Sequence, residues 1–229
     1  MAIVKKYNAK VVRIVNRVEG IYTVEMKSLN GPFKYFPGQF LHLALDKYDP
    51  SSGWPESRCF SIQSSTQEEN ILITYAIKGL FTTRMSKELK PGSYVALKLP
   101  YGDLFTQEHS KSNTIFIAGG TGITPFLSLF TDPIFQTYKK PKLFFGLKND
   151  SMNLYKKELG MAMICNPELK IEYIYHEIDG NINIENIIEN ETRKSSYYVS
   201  GPPGMIKNLR VALLKIGIAK AQIKTDEWE

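Results

Sequence analysis

Cysteine and histidine are scarce in this chain: Cys59 and Cys165, with His42, His109 and His176, are all that 229 residues contain. Two thiols cannot build a disulfide framework, and an iron-sulfur cluster would need four. The three histidines lie far apart with no ligand spacing, so no metal site is expected. Long apolar runs are missing as well. Ile115 to Ala118 and Val211 to Leu214 are among the longest, far below the roughly 18–20 residues of a membrane span. The start, Met1-Ala2-Ile3-Val4-Lys5-Lys6, has no apolar core followed by a small-residue cleavage site. A cytoplasmic protein is the expectation. Neither an internal repeat nor a nucleic-acid-binding motif is found.

What is present is an ordinary globular mixture, 43% hydrophobic and 23% charged, enough for one large domain or two of common size. Lys and Arg outnumber Asp and Glu by 29 to 23, a formal charge of +6, with small clusters at Lys5-Lys6, Lys139-Lys140-Lys142 and Lys156-Lys157. Such clusters are solvated faces, or they steer an anionic cofactor or an acidic partner toward the surface.

The first half reads as strands. Lys10 to Val18, Ile21 to Ser28, Phe40 to Leu45, Cys59 to Gln63, Ile71 to Ile77 and Tyr94 to Leu99 are short and β-branched or aromatic. Turn signals such as Asn30-Gly31-Pro32, Pro37-Gly38 and Pro91-Gly92 separate them. Six such strands predict an antiparallel Greek-key barrel, which removes its open edges by closing on itself. One segment breaks the pattern: after Gly79, Thr82 or Thr83 can cap a short helix whose Phe81, Met85 and Leu89 share a face. Its first turn would attract an anion, or the helix simply plugs the barrel.

The polar stretch Pro100 to Asn113 marks a junction, giving domains 1–106 and 107–229. Beyond it, strands at Thr114 to Ala118, Lys142 to Leu147, Lys170 to Tyr175, Tyr197 to Ser200 and Ile223 to Asp226 alternate with helical stretches. Those stretches are Pro125 to Phe130, Asn153 to Ile164, Ile184 to Glu191 and Met205 to Ile216. This alternation predicts a parallel α/β sheet. Two strand-to-helix turns are rich in glycine: Gly119-Gly120-Thr121-Gly122-Ile123-Thr124-Pro125 and Gly201-Pro202-Pro203-Gly204-Met205. Either alone would serve as a plain connection, and two at one sheet edge favour a ligand cleft.

Arg58-Cys59-Phe60-Ser61 enters a strand from a polar loop, and alternation sends Arg58 and Phe60 to one face, Cys59 and Ser61 to the other, unless the strand bends. A guanidinium, an aromatic ring and a hydroxyl in this order suit a phosphate-bearing flat cofactor such as a flavin. Taken with Gly79-Leu80-Phe81-Thr82-Thr83 and the two glycine turns, in that order along nearly the whole chain, the pattern resembles the ferredoxin-NADP reductase family of flavin oxidoreductases.

The resemblance implies a six-stranded antiparallel barrel holding FAD and a parallel-sheet α/β domain receiving NADH or NADPH. It implies that Arg58 with the Thr82 and Thr83 amides holds the FAD pyrophosphate, that Phe60 covers the flavin and that Ser61 faces its N5. Cys59, Gly79 and Phe81 fall in the same motifs, and Thr74, Tyr75, Ile77 and Lys78 would line the ring and ribityl chain. Gly119, Gly120, Thr121, Gly122, Thr124, Pro125, Gly201 and Pro202 would receive the nicotinamide nucleotide, with Ser200 beside it and Trp228 as a candidate flavin cover. Two departures stand out: Phe60 replaces the family's tyrosine, and Ser200 stands where many members have cysteine. The implied activity is transfer of a hydride from NAD(P)H to flavin and of electrons to a separate acceptor, for which the basic surface favours an acidic ferredoxin-like protein. Two alternatives are an electron-transfer subunit of a larger complex and a non-enzymatic nucleotide sensor. Lys148 and Asp150, after the second strand of the sheet, leave the choice of nucleotide open.

Overall fold

Alternation of side chains along β1 (Lys5–Val18) shows how the first unit is built: Tyr7, Ala9 and Val11 turn inward while their neighbours face solvent. A computed structural model describes residues 3–184, 187 and 195–226. It divides into two compact units, Met1–Thr106 and Gln107–Glu229.

In the first unit, β2 (Ile21–Ser28), β3 (Phe40–Ala44), β4 (Ser57–Ser61), β5 (Ile71–Ala76) and β6 (Tyr94–Tyr101) join β1 in one antiparallel sheet of order β4-β3-β6-β1-β2-β5. The edges meet again just past β4, where the Gln63 N–H donates to the Leu72 carbonyl of β5 at 2.8 Å. This closure makes a barrel, and it satisfies backbone groups that an open edge would expose. Val24, Met26, Leu41, Leu43, Ile62, Ile71, Ile73, Leu97 and Leu99 are fully buried in its core. Each such side chain contributes about 1.5–3 kcal/mol by leaving water. Helix α1 (Leu80–Glu88) packs Phe81 and Met85 into the same cluster, with Leu89 partly buried against it.

The second unit is a parallel sheet of order β11-β10-β7-β8-β9, formed by β7 (Thr114–Gly119), β8 (Lys142–Leu147), β9 (Lys170–Tyr175), β10 (Ser196–Ser200) and β11 (Ile223–Thr225). Every residue of β7 is buried, as a central parallel strand covered on both faces requires. Helices α2 (Thr124–Phe130), α3 (Lys156–Cys165), a four-residue α4 (His176–Asp179) and α5 (Pro203–Lys215) connect the strands. The order reverses between β7 and β10, so the two glycine turns leave adjacent strands at the carboxyl edge, the usual ligand crevice of an open α/β sheet. The helix expected from Ile184 to Glu191 lies largely outside the described residues. No helix among the described residues is long and apolar enough to cross a membrane.

Candidate functional site

In the first unit the site begins with β4. Arg58 is exposed, and Phe60 is partly buried against the barrel core. The Arg58 guanidinium lies over the Phe81 ring, 5.1 Å from its centroid, and donates to Glu56 Oε1 and the Ser57 carbonyl at 2.8 Å each. Because Phe81 is the second residue of α1, this stacking sets the cation beside the helix N-terminus, whose first backbone N–H groups have no acceptor within the helix. The cap is Gly79, with extended backbone, and neither threonine occupies that position. Thr82 sits three residues later and reaches back: its Oγ1 accepts from the Lys78 and Gly79 N–H groups at 2.9 and 3.1 Å. The Thr83 amide donates to the Gly79 carbonyl at 2.9 Å, closing the first helical turn, so the donors left for an anion come from Leu80, Phe81 and Thr82. A Cβ at Gly79 would meet nothing within 4 Å, so the turn opens onto free space.

Several other expected residues are placed differently. The Cys59 thiol lies on the opposite face of the β3–β4 pair from Arg58, 3.6 Å from a ring nitrogen of His42, and burial raises its pKa. It offers a ligand only its backbone. Tyr75 is 3% exposed inside the barrel, stacked on Tyr22 and edge-on to Phe60, and burial raises its pKa strongly. It packs behind Phe60 in the barrel wall. The Thr74 hydroxyl is committed to Gln63 at 2.6 Å and Thr23 at 2.8 Å. Ile77 and Lys78 are exposed where β5 runs toward α1, and Ser61 closes β4 opposite Phe40.

In the second unit, the two glycine turns interlock. A Cβ at Gly122 would lie 2.5 Å from the backbone nitrogen of Gly201, and one at Gly119 would lie 2.6 Å from the Met205 sulfur. Gly120 adopts φ +53° and faces open space. Thr121 is half-buried, and the Thr124 hydroxyl donates to its carbonyl at 3.0 Å, which with Pro125 in the first turn fixes the start of α2. Beside the turns lies a cavity of about 770 Å³, bounded by Gly119 and Gly120, by Gly146 to Lys148 after β8, by Ile174 and His176, and by Pro202 and Met205. That volume is in the range of small-molecule and cofactor sites.

Ser200 ends β10 and is 2% exposed; its hydroxyl donates to Asp226 Oδ2 at 3.2 Å, while the Asp226 N–H donates to the Val199 carbonyl at 3.0 Å. Sequence reasoning placed Asp226 at the end of the last strand and gave it no role in the site, since nothing local marks a carboxylate that becomes buried beside a distant serine. Trp228 lies outside the described residues. Among the described residues, no group of three or more His, Cys, Asp or Glu side chains could hold a metal ion.

Comparison with known proteins bears on the fold. The chain has the two-domain fold of the ferredoxin reductase-like FAD/NAD-binding proteins. More narrowly, its residues 116–210 match the oxidoreductase NAD-binding domain family. The phenol hydroxylase P5 protein of Acinetobacter pittii is 24% identical over 99% of this chain and 66% of its own length. Two solved structures share the fold. The flavohemoglobin of Malassezia yamatoensis, with bound FAD and heme, superimposes with TM-score 0.82 at 20% identity over 96% of this chain and 59% of its own. A ferredoxin NADP+ reductase from Neisseria gonorrhoeae, with bound FAD and NADP, does so with TM-score 0.79 at 17% identity over 97% and 98%. The chain thus spans less than two thirds of the length of the first two.

Proposed function

We propose that the protein is an FAD-dependent NAD(P)H oxidoreductase that passes electrons to a separate acceptor. The observation that carries this reading is the placement of the Arg58 guanidinium over Phe81 at the start of α1, in a chain whose other unit matches an NAD-binding domain. A cation, unpaired amide donors and an open glycine fit a pyrophosphate, and the partly buried Phe60 nearby fits a flat ring. The 1–106 unit is read as the FAD domain and the 107–229 unit as the NAD(P) domain. When bound, FAD would accept two electrons and a proton from the reduced nicotinamide and release the electrons onward.

The chain's own groups bind and orient. Arg58 would exchange Glu56 for the pyrophosphate, the Leu80 to Thr82 amides would add hydrogen bonds, and Ser61 would hold the flavin near its reactive edge. In the second unit the open Gly120 turn would receive the nucleotide's phosphates, with Thr121 and the Gly201-Pro202 turn around it. Asp226 would hold the Ser200 hydroxyl in one orientation beside the nicotinamide. No side chain need act as a strong acid or base. The acceptor is read as an acidic ferredoxin-like or oxygenase component, drawn by the formal charge of +6.

Purification tests the reading. The protein should be yellow, or become so on reconstitution with FAD, and should bleach rapidly on anaerobic addition of a reduced nicotinamide nucleotide. Arg58→Ala should lose flavin on gel filtration, and its FAD-free form should melt at the temperature of FAD-free native protein, because the replaced side chain is half exposed and its ion pair with Glu56 lies at the surface. A colourless protein that takes up no FAD would reject the proposal and leave the sensor reading in its place.

A further inference from the structure

We propose that the cavity of the second unit selects a nucleotide with a free 2′-hydroxyl, NADH over NADPH, and that Glu177 makes the selection. This deepens the functional reading above and rests on it.

In an open α/β sheet the pyrophosphate sits at the turn after the first strand, here β7, and the adenosine ribose falls toward the end of the next strand, here β8. That end of the cavity is formed by Gly146 to Lys148 and by His176. Among the described residues lining the cavity, Lys148 is the one permanent cation, and it is already engaged. Its Nζ lies 3.7 Å from Glu177 Oε1, its carbonyl accepts the Glu177 N–H at 3.2 Å, and the adjacent Asn149 Nδ2 donates to Glu177 Oε2 at 3.0 Å. Glu177, next in sequence to the lining residue His176 and paired with the lining residue Lys148, is thus held by two contacts to its carboxylate and one to its backbone N–H.

The surrounding charge points the same way. Asp150 accepts from the Tyr175 hydroxyl at 3.1 Å and pairs with Lys156 at 2.7 Å, and Asp179 accepts from the Tyr175 N–H at 2.8 Å. Around the lining residue Lys148 the β8 and β9 turns thus bring together three carboxylates and two ammonium groups, each ammonium facing a carboxylate. A 2′-phosphate, with about two negative charges near neutral pH, would have to pull Lys148 away from Glu177 and then lie beside that carboxylate. A ribose 2′-hydroxyl meets no such conflict. It can donate to Glu177 Oε1, whose nearest charged partner is beyond hydrogen-bond distance and whose lone pairs remain available.

Binding decides it without turnover. Titrate the FAD-loaded protein with NADH, NADPH, 5′-AMP and 2′-phospho-AMP by calorimetry. NADH and 5′-AMP should bind at least about tenfold more tightly than their 2′-phosphorylated counterparts, a difference of about 1.4 kcal/mol. Glu177→Gln should weaken NADH and free Lys148, tightening NADPH by about tenfold. Adding Lys148→Met should abolish that gain. Both side chains are about half exposed or more, so melting temperatures should hold throughout. Native protein that binds NADPH as tightly as NADH, or a Glu177→Gln variant with an unchanged ratio, overturns the selection while leaving the cavity a nucleotide site. Failure of all four ligands to bind overturns the nucleotide reading of the cavity itself.

Discussion

Gly120 and Gly122 stand two residues apart in one turn and are glycines for different reasons. At Gly122 the constraint is space, because a Cβ would press on the Gly201 backbone, which cannot swing aside as a side chain could. At Gly120 space is free and the constraint is the left-handed backbone. Gly122→Ala should therefore cost about 1–3 kcal/mol or more and loosen both turns together. Gly120→Ala should cost only about 1–2 kcal/mol. Chemical denaturation of the two variants checks the ranking, and equal losses would reject the interlocking of the turns. The sequence displayed both glycines but not this distinction. The atom that crowds Gly122 belongs to a residue far along the chain, and only the adjacency of β7 and β10 brings it there.

Helix α1 shows what an element's sequence does and does not reveal. Its buried face was legible from the spacing of Phe81, Met85 and Leu89, because a four-residue repeat of apolar side chains has one helical solution. Its beginning was not. Two adjacent threonines are both good caps, and the choice fell instead on Gly79 with Thr82 bonded back to it. Strand β1 likewise begins at Lys5, five residues before the expected start, because its first stretch offers only Tyr7 and Ala9 as inward apolar residues among lysines and an asparagine. Thr82→Val keeps the shape and removes the acceptor for the Lys78 and Gly79 N–H groups. It should lower stability by about 1 kcal/mol and weaken FAD binding, whereas Thr82→Ser should restore both. Denaturant midpoints and flavin titration provide the measurement. A valine variant with native flavin affinity would show that the cap does not organise the anion seat.

At the scale of the molecule, the change of rhythm from short strands to alternating strands and helices was visible in the sequence, since each architecture imposes its own period of burial. The pairing of Ser200 with Asp226 and of Lys148 with Glu177 was not, since both join residues that only the parallel sheet makes neighbours. What the architecture predicts is two ligand seats that belong to different units. FAD at about a hundredfold excess over its dissociation constant should stabilise the unit that holds it by about 2.7 kcal/mol. Hydrogen exchange on the intact chain locates that gain. FAD should slow exchange in β4 and in the first turn of α1, and NADH should slow it in the turn from Gly119 to Ile123 and in residues 146–148. Each ligand should bind in the presence of the other without displacing it. Competition between them, or protection of the Gly119 turn by FAD alone, would mean that one seat serves both nucleotides and that the division of labour between the barrel and the sheet is wrong.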